Sequence, residues 1–477
     1  MERREEYEKL LEALNETPLP PALDSCVGRA RKRAHRRRLG RDWGAVLASL
    51  GGAAAAFALA VNLSLPFALA CGRIPILKEM AAAVALSSSL KAAVENDYVQ
   101  PVGQSQTVNG LTMTVDYLIL DKKQVNIFYH FTGDFSSLSG SPELQNPAGE
   151  RLSCSYSGGG LAEAPGEIHQ VSASFGDGGE LSQTPPALRF LYRIEYLENG
   201  TEQGPEPDVP VEEYDPWEKP ATPEALFTFS FDLELNEEYR SQGLSYDLNE
   251  WVELDGQRIL LKTVEIYPTN LRVELEGDPA NTAWLKSLDF YIEDETGRRN
   301  DPITNGITAS GTTNSPAMGA FYQESSFFWN SRHLNLYITG GQWLDKDQRF
   351  VTVDLDTGTT KDPLPEGILL GGAVRRGTNT AVVLYGRTLE GDSDTDLHTY
   401  QLAGWTCWGP DGSEWSFDSM QSSAGGIDQI GGATFQTPEG YFEETCLMTG
   451  YPHSTLTLEM LQSRRFTLDR PVTAALK

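Results

Sequence analysis

Thirty consecutive uncharged residues, Trp43 to Gly72, constrain this chain more than any other feature in it. Trp43–Ala70 reads WGAVLASLGGAAAAFALAVNLSLPFALA. At about 1.5 Å rise per residue, the stretch from Trp43 to Val61 approaches the ~30 Å hydrocarbon layer of a bilayer, and the neutral residues beyond complete it. A core helix of a water-soluble fold keeps a polar face over such a length, and this stretch has none. It predicts a transmembrane helix over residues 43–70.

The flanks orient the helix. RARKRAHRRRLGR precedes it, with eight Lys or Arg between Arg29 and Arg41, whereas the far side opens on Arg73. The positive-inside rule places residues 1–42 in the cytoplasm and the bulk of the chain outside, a single-pass plasma-membrane topology. Ala68-Leu69-Ala70 before Cys71 also fits the small-x-small pattern of export-signal cleavage, which makes Ala68 and Ala70 the candidate cleavage residues. The long charged leader favours a retained anchor.

Charge divides at the same boundary. Residues 1–42 carry 11 basic and 8 acidic groups; subtracting them from the 38 and 67 of the whole chain leaves 27 basic and 59 acidic, net −32, for residues 43–477. So acidic an outer part is soluble, self-repelling and unsuited to nucleic acid. The basic run before the membrane reads as a topology determinant touching the lipid bilayer.

The cytoplasmic segment has its own pattern. Tyr7, Leu10, Leu11 and Leu14 recur at i, i+3, i+4 and i+7, an amphipathic helix ended by Pro18, Pro20 and Pro21. A second helix from about Ala22 sets Leu23 and Val27 along one face. Two helices of this size bury no stable core alone. Tyr7, Leu10, Leu11, Leu14, Leu23 and Val27 are therefore the candidate partner-binding residues.

Beyond the membrane, the Ala-rich stretch after Arg73-Ile74-Pro75 predicts a juxtamembrane stalk helix within residues 71–98, reaching about Asn96. From Gln104 the chain alternates apolar and polar residues between Gly, Asn, Asp and Pro turns, a strand pattern. The strands repeat. Asn109-Gly110 and LTMTVDYLILDKKQVNIFY align without a gap on Asp255-Gly256 and QRILLKTVEIYPTNLRVEL, an offset of 146 residues. Met113, Val115, Leu118, Leu120, Val125 and Ile127 fall on Ile259, Leu261, Val264, Ile266, Leu271 and Val273. Each copy describes a long strand, a tight turn at Asp121-Lys122-Lys123 or Tyr267-Pro268-Thr269, and a return strand.

AVRRGTNTAVVLYG is a looser third copy, and similar strands follow each at FTFSFDLEL from Phe227, RFVTVDLD from Arg349 and RFTLDRPVTAAL from Arg465. Read as closing strands, they delimit three immunoglobulin-like β-sandwich units, 99–235, 236–362 and 363–477. The Glu- and Pro-rich stretch 198–223 is an insertion exposed on the first unit. The expected fold is mainly β: short cytoplasmic helices, one membrane helix, and tandem sandwiches outside.

Catalytic chemistry finds no foothold. The histidines, His35, His130, His169, His333, His398 and His453, lie in no nucleophile-elbow, P-loop or zinc context. Asp392, Asp394 and Asp396 resemble the start of a calcium loop but lack its Gly and closing Glu. Trp405, Trp408 and Trp415 fit either an aromatic platform or strand alternation. Of the five cysteines, Cys407 and Cys446 can bridge or remain buried thiols. No enzyme activity, metal or cofactor is expected.

The juncture NLSLPFALACGRIPIL with the hairpin TVNGLTMTVDYLILDKKQVNIFYHF resembles a family of single-pass membrane proteins of Gram-positive bacteria carrying domain of unknown function 4179. Many are described as anti-sigma-factor-like regulators of extracytoplasmic-function sigma factors. The second hairpin is similar to the companion domain often C-terminal to it. The resemblance implies a cytoplasmic segment that holds a sigma factor and an outer part that senses an envelope ligand. The alternative expectation is a cell-envelope binding or adhesion protein whose tail is only an anchor.

Overall fold

The computed structural model describes residues 84–159, 161–175, 181, 186–198, 225–312, 315–388 and 401–477. The predicted cytoplasmic segment 1–42, the membrane span 43–70, the start of the stalk and nearly all of the acidic insertion lie outside the described residues. Among those described, no helix is long and apolar enough to cross a membrane. They are mainly β, in antiparallel sheets with few helices.

Both Gly-containing turns adopt the geometry their residues favour. Asn109 and Gly110 have φ of 51° and 83°, and Asp255 and Gly256 have 50° and 76°, the paired positive angles of a type I′ hairpin. The first turn joins β1 (Gln100–Val108) to β2 (Leu111–Leu120), which pairs with β3 (Gln124–Thr132). In β2, Met113, Val115, Leu118 and Leu120 are buried together because a bulge at Asp116 resets the alternation.

The first unit continues through β4 (Ser137–Gln145), β5 (Ser155–Gly158), β6 (Ile168–Ser174), β7 (Ala187–Glu198) and β8 (Phe227–Glu234). One sheet runs β1-β2-β3-β6-β5 and the other β4-β7-β8. Their shared core is aromatic: Tyr129 and Phe131 of the first sheet meet Tyr192 of the second at ring-centroid distances of 5.3 and 5.6 Å.

After the short helix α2 (Glu237–Arg240), the second unit repeats the plan with β9 (Leu244–Leu254), β10 (Gln257–Ile266), β11 (Leu271–Gly277), β12 (Ala283–Asp294), β13 (Ala309–Thr312), β14 (Ser315–Gln323) and β15 (Leu334–Asp345). The 146-residue repeat holds to single residues. The bulge at Asp116 recurs at Lys262, and the irregularity at Gly103 (φ 67°) in β1 recurs at Asn249 (φ 50°) in β9. Thus the repeat starts one strand earlier than the sequence match.

The closing strands depart from the expectation. The C-terminal strand of the chain, Arg464–Ala475, pairs with β15 of the second unit, and Phe350–Asp354 pairs with a strand of the third. Numbered in order, the third unit comprises β16 (Phe350–Asp354), β17 (Thr359–Thr360), β18 (Ile368–Arg376), β19 (Asn379–Arg387), β20 (Ala403–Trp408), β21 (Glu414–Ser416), β22 (Ser419–Ser423), β23 (Ile427–Ile430), β24 (Ala433–Gln436), β25 (Tyr441–Met448) and β26 (Thr455–Met460). β27 is Arg464–Ala475.

The third unit is therefore threaded into the hairpin between β15 and β27, where the first unit has its acidic insertion between β7 and β8. Two features hold β27 there. Gly340 and Gly341 of β15 leave room where any Cβ would collide with the Phe466 or Ser287 carbonyl, and Phe466 stacks on the buried Trp343 at 5.0 Å. Ser463 reaches back, its N–H to Trp343 O at 2.7 Å and its hydroxyl accepting from Asp345 N at 2.8 Å.

Of the stalk region predicted within residues 71–98, the described part holds helix α1 (Ser88–Glu95). Ser87 is extended (φ −108°, ψ 115°) and its hydroxyl accepts from Leu90 N, so the helix begins at the serine run 87–89.

Candidate functional site

The helix α1 is seated on both repeated units. Leu90 and Ala93, one turn apart, are wholly buried against Ile119 and Phe128 on the outer face of the β1-β2-β3-β6-β5 sheet, with Tyr117, Ile168 and Phe328 around them. Ile119 turns outward because its neighbours Leu118 and Leu120 turn in to the first core. Tyr98, just past the helix, has its hydroxyl 3.0 Å from Leu120 O and 3.1 Å from Tyr239 O and its ring edge-on to Tyr239 and Phe328. Burial raises the Tyr98 phenol well above the usual tyrosine range.

The polar start of the helix goes to the second unit. Its first turn carries no acidic residue of its own. Glu324, wholly buried just past β14, supplies one: Oε2 accepts from Ser89 N at 2.7 Å and from the Ser87 hydroxyl at 2.8 Å. An anion at a helix N-terminus satisfies orphan N–H groups and opposes the helix dipole. Oε1 accepts from Thr304 N at 3.0 Å, and the Asn305 amide lies 3.2 Å away. Asn305 Nδ2 also donates to Ser87 Oγ at 2.5 Å, Ser325 N donates to Ser89 Oγ at 2.5 Å, and Thr304 Oγ1 is 2.8 Å from Leu86 O.

The two hairpin tips meet beside this clamp. Asp121, fully buried at the end of β2, accepts from Lys123 N and Gln124 N through Oδ1, at 2.9 and 3.1 Å. Its Oδ2 accepts from Thr269 N at 2.9 Å and the Thr269 hydroxyl at 2.6 Å, across the unit boundary. Asn270 Nδ2 donates to Gln124 Oε1 at 3.1 Å, and Gln124 Nε2 to Asn305 Oδ1 at 2.7 Å. Gln124 and Asn270 are equivalent positions 146 residues apart. Gly306 lies against this amide, where a Cβ would come within 2.8 Å of Gln124 Oε1.

Burial pushes the Asp121 carboxyl up to about 6, against the pull of the four groups donating to it. Glu324 and Asp121 thus bring two buried carboxylates, saturated by donors from both units and the helix, into one continuous polar junction. Such a network is strong while complete and costly when broken, because each buried group then loses its partner in a low-dielectric setting.

The residues singled out from sequence lie elsewhere. Tyr7, Leu10, Leu11, Leu14, Leu23, Val27, Ala68 and Ala70 lie outside the described residues, as do Asp392, Asp394 and Asp396. Trp405, Trp408 and Trp415 do not share one platform: Trp405 is exposed, Trp408 meets Phe350 edge-on at 5.3 Å, and Trp415 meets Tyr451 at the third core. Cys407 and Cys446 are buried free thiols in that core, and burial raises both. His130 pairs with Asp116 at 2.7 Å, while His169 is pushed down by burial. Among the described residues no three carboxylate, imidazole or thiol groups converge to hold a metal.

Sequence reasoning missed the junction, although it quoted the two turns that build it. The matches to known families fall on both sides of it. Residues 36–133 match the domain of unknown function DUF4179. Residues 244–365 match a second family of unknown function, DUF5643. Ser87, Ser89, Asp121 and Gln124 lie in the first match, and Thr269, Asn270, Thr304, Asn305, Glu324 and Ser325 in the second, so the junction is where the two domains meet. No curated protein matches the chain. A solved structure described as the conserved domain protein from Bacillus anthracis covers 52% of this chain and 79% of its own, at 14% identity and a TM-score of 0.34, a likeness too loose to carry fold or function.

Proposed function

We propose that this chain is a membrane-anchored, anti-sigma-factor-like signal transducer. Immunoglobulin-like sandwiches outside the cell respond to an envelope ligand, the span 43–70 crosses the bilayer, and Tyr7, Leu10, Leu11, Leu14, Leu23 and Val27 hold an extracytoplasmic-function sigma factor inside. The observation that carries the reading is the seating of α1: the segment leading from the apolar run is fixed by a buried network reaching both repeated units. A plain tether needs no such fixture, whereas a transducer needs its outer units and its membrane segment mechanically joined. The basic flank at Arg29–Arg41 supports the same topology.

The test is a pull-down with a peptide of residues 1–42 against the sigma factors of the host, paired with a sigma-dependent reporter. Capture of an extracytoplasmic-function sigma factor, lost when Leu10, Leu11 and Leu14 become Ser, is the expected result. Capture of none, with the reporter unmoved by those substitutions, leaves the adhesion reading, to which the exposed Trp405 and Phe350 would then contribute binding surface.

A further inference from the structure

Resting on that signalling reading, we propose that the clamp around Glu324 is a latch, and that it opens by the second unit parting from the first unit and α1, which move as one body.

The division of contacts points to this parting line. The apolar face of α1 lies mainly against the first unit, to which only Asn96–Val99 connect it, whereas Leu86, Ser87 and Ser89 bond to Thr304, Asn305, Glu324 and Ser325 of the second. Tension arriving through the residues before Val84 therefore loads second-unit partners first. The tip-to-tip bonds of Asp121 with Thr269 and of Gln124 with Asn270 and Asn305 cross the same line.

Each unit keeps its own core. The first cluster draws on residues between Val102 and Tyr239, and the second on residues between Tyr246 and Leu476, with no residue shared. Phe328 is the one second-unit residue in the apolar cluster under α1. Parting the units exchanges protein hydrogen bonds for water and leaves both cores closed, the energetics of a domain interface that opens without unfolding. Because the bonds form one buried network, losing one member weakens the others.

The experiment uses the full-length chain in membrane vesicles, with Ser89→Cys as reporter and maleimide labelling read by mass spectrometry of the peptide bearing position 89. Ser89 is wholly buried, and the cysteine sulfur still offers the Ser325 N–H an acceptor, so labelling of the single variant is slow while the clamp holds. Adding Glu324→Ala removes the charge-assisted acceptor and should speed labelling by about tenfold or more. Glu324→Gln, which keeps one acceptor, should give a smaller rise. Val115→Cys and Ile338→Cys, in the two unit cores, should stay protected in the same background.

Unchanged labelling at position 89 in Glu324→Ala overturns the proposal, as does parallel loss of protection at 115 or 338, which would mean that the units unfold rather than part. The signalling reading fails separately. Deprotection at 89 with no sigma factor captured by residues 1–42 retires that reading and leaves the latch, whereas capture with position 89 still protected does the reverse.

Discussion

At the residue scale, burial and hydrogen-bond donors pull the Asp121 carboxyl in opposite directions. Burial pushes the Asp121 carboxyl up to about 6 from its ordinary 3.8, so between those pH values the folded junction holds a proton that the unfolded chain has released. Its contribution is largest below pH 3.8, declines as pH rises through about 6, and is level above that. Thr269→Val deletes the 2.6 Å hydroxyl bond to this carboxylate and should cost about 1.5–3 kcal/mol at pH 7.5 but markedly less at pH 4, in urea unfolding of a Val84–Lys477 fragment. An equal cost at both pH values would place the charge elsewhere. Glu444 is a parallel case in the third unit: it accepts the N–H groups of Leu402 and Ala403, and burial pushes it up to about 7. Glu444→Gln should flatten the fall in stability of that unit between pH 4.5 and 7.

At the scale of elements, the hairpins were legible and their partners were not. Asn109-Gly110, Asp255-Gly256 and the alternating apolar positions state strand, turn and strand, because those choices are local. Nothing local tells the strand at Phe350 from the one at Arg464: both alternate, and each finds its sheet through the cavity it fills. The junction was hidden for a similar reason. Asp121, Thr269 and Asn305 are ordinary turn or loop residues and Gln124 opens β3, and only docking buries them. Of the stalk expected within residues 71–98, the described part holds a helix that begins at Ser87, where the side-chain cap sits. Ser87→Ala removes that cap together with the Glu324 and Asn305 bonds and should cost about 1–2 kcal/mol, seen as faster hydrogen exchange at Leu90 N–H. No change there would mean that the apolar face alone holds the helix.

At the scale of the whole molecule, β12 and β15 set the distances. Ala283 pairs with Asp345 at one end and Asp294 with Leu334 at the other, about 35–40 Å apart for twelve-residue strands. The third unit leaves at the Asp345 end, while the clamp lies near the Asp294 end, where Ser331 bonds Asp294 and Asn300 bonds Glu324 O. Replacing residues 346–462 by a short loop should leave the second unit folded, since Ser463 already lies beside Asp345. Removing residues 464–477 instead should unfold the second unit and spare the third, and Phe466→Ala alone should cost about 3–5 kcal/mol there. Two resolved unfolding transitions, assigned by the buried thiols of the third unit, check both outcomes.

On the proposed topology, the buried junction joins the outer units to the cytoplasmic segment. Its most direct test is a sigma-dependent reporter in cells carrying full-length Glu324→Ala at wild-type membrane levels. Constitutively raised output, abolished as a further effect once Leu10, Leu11 and Leu14 are already Ser, is the predicted result. Output identical to wild type, in cells where those tail substitutions do raise it, would contradict the claim.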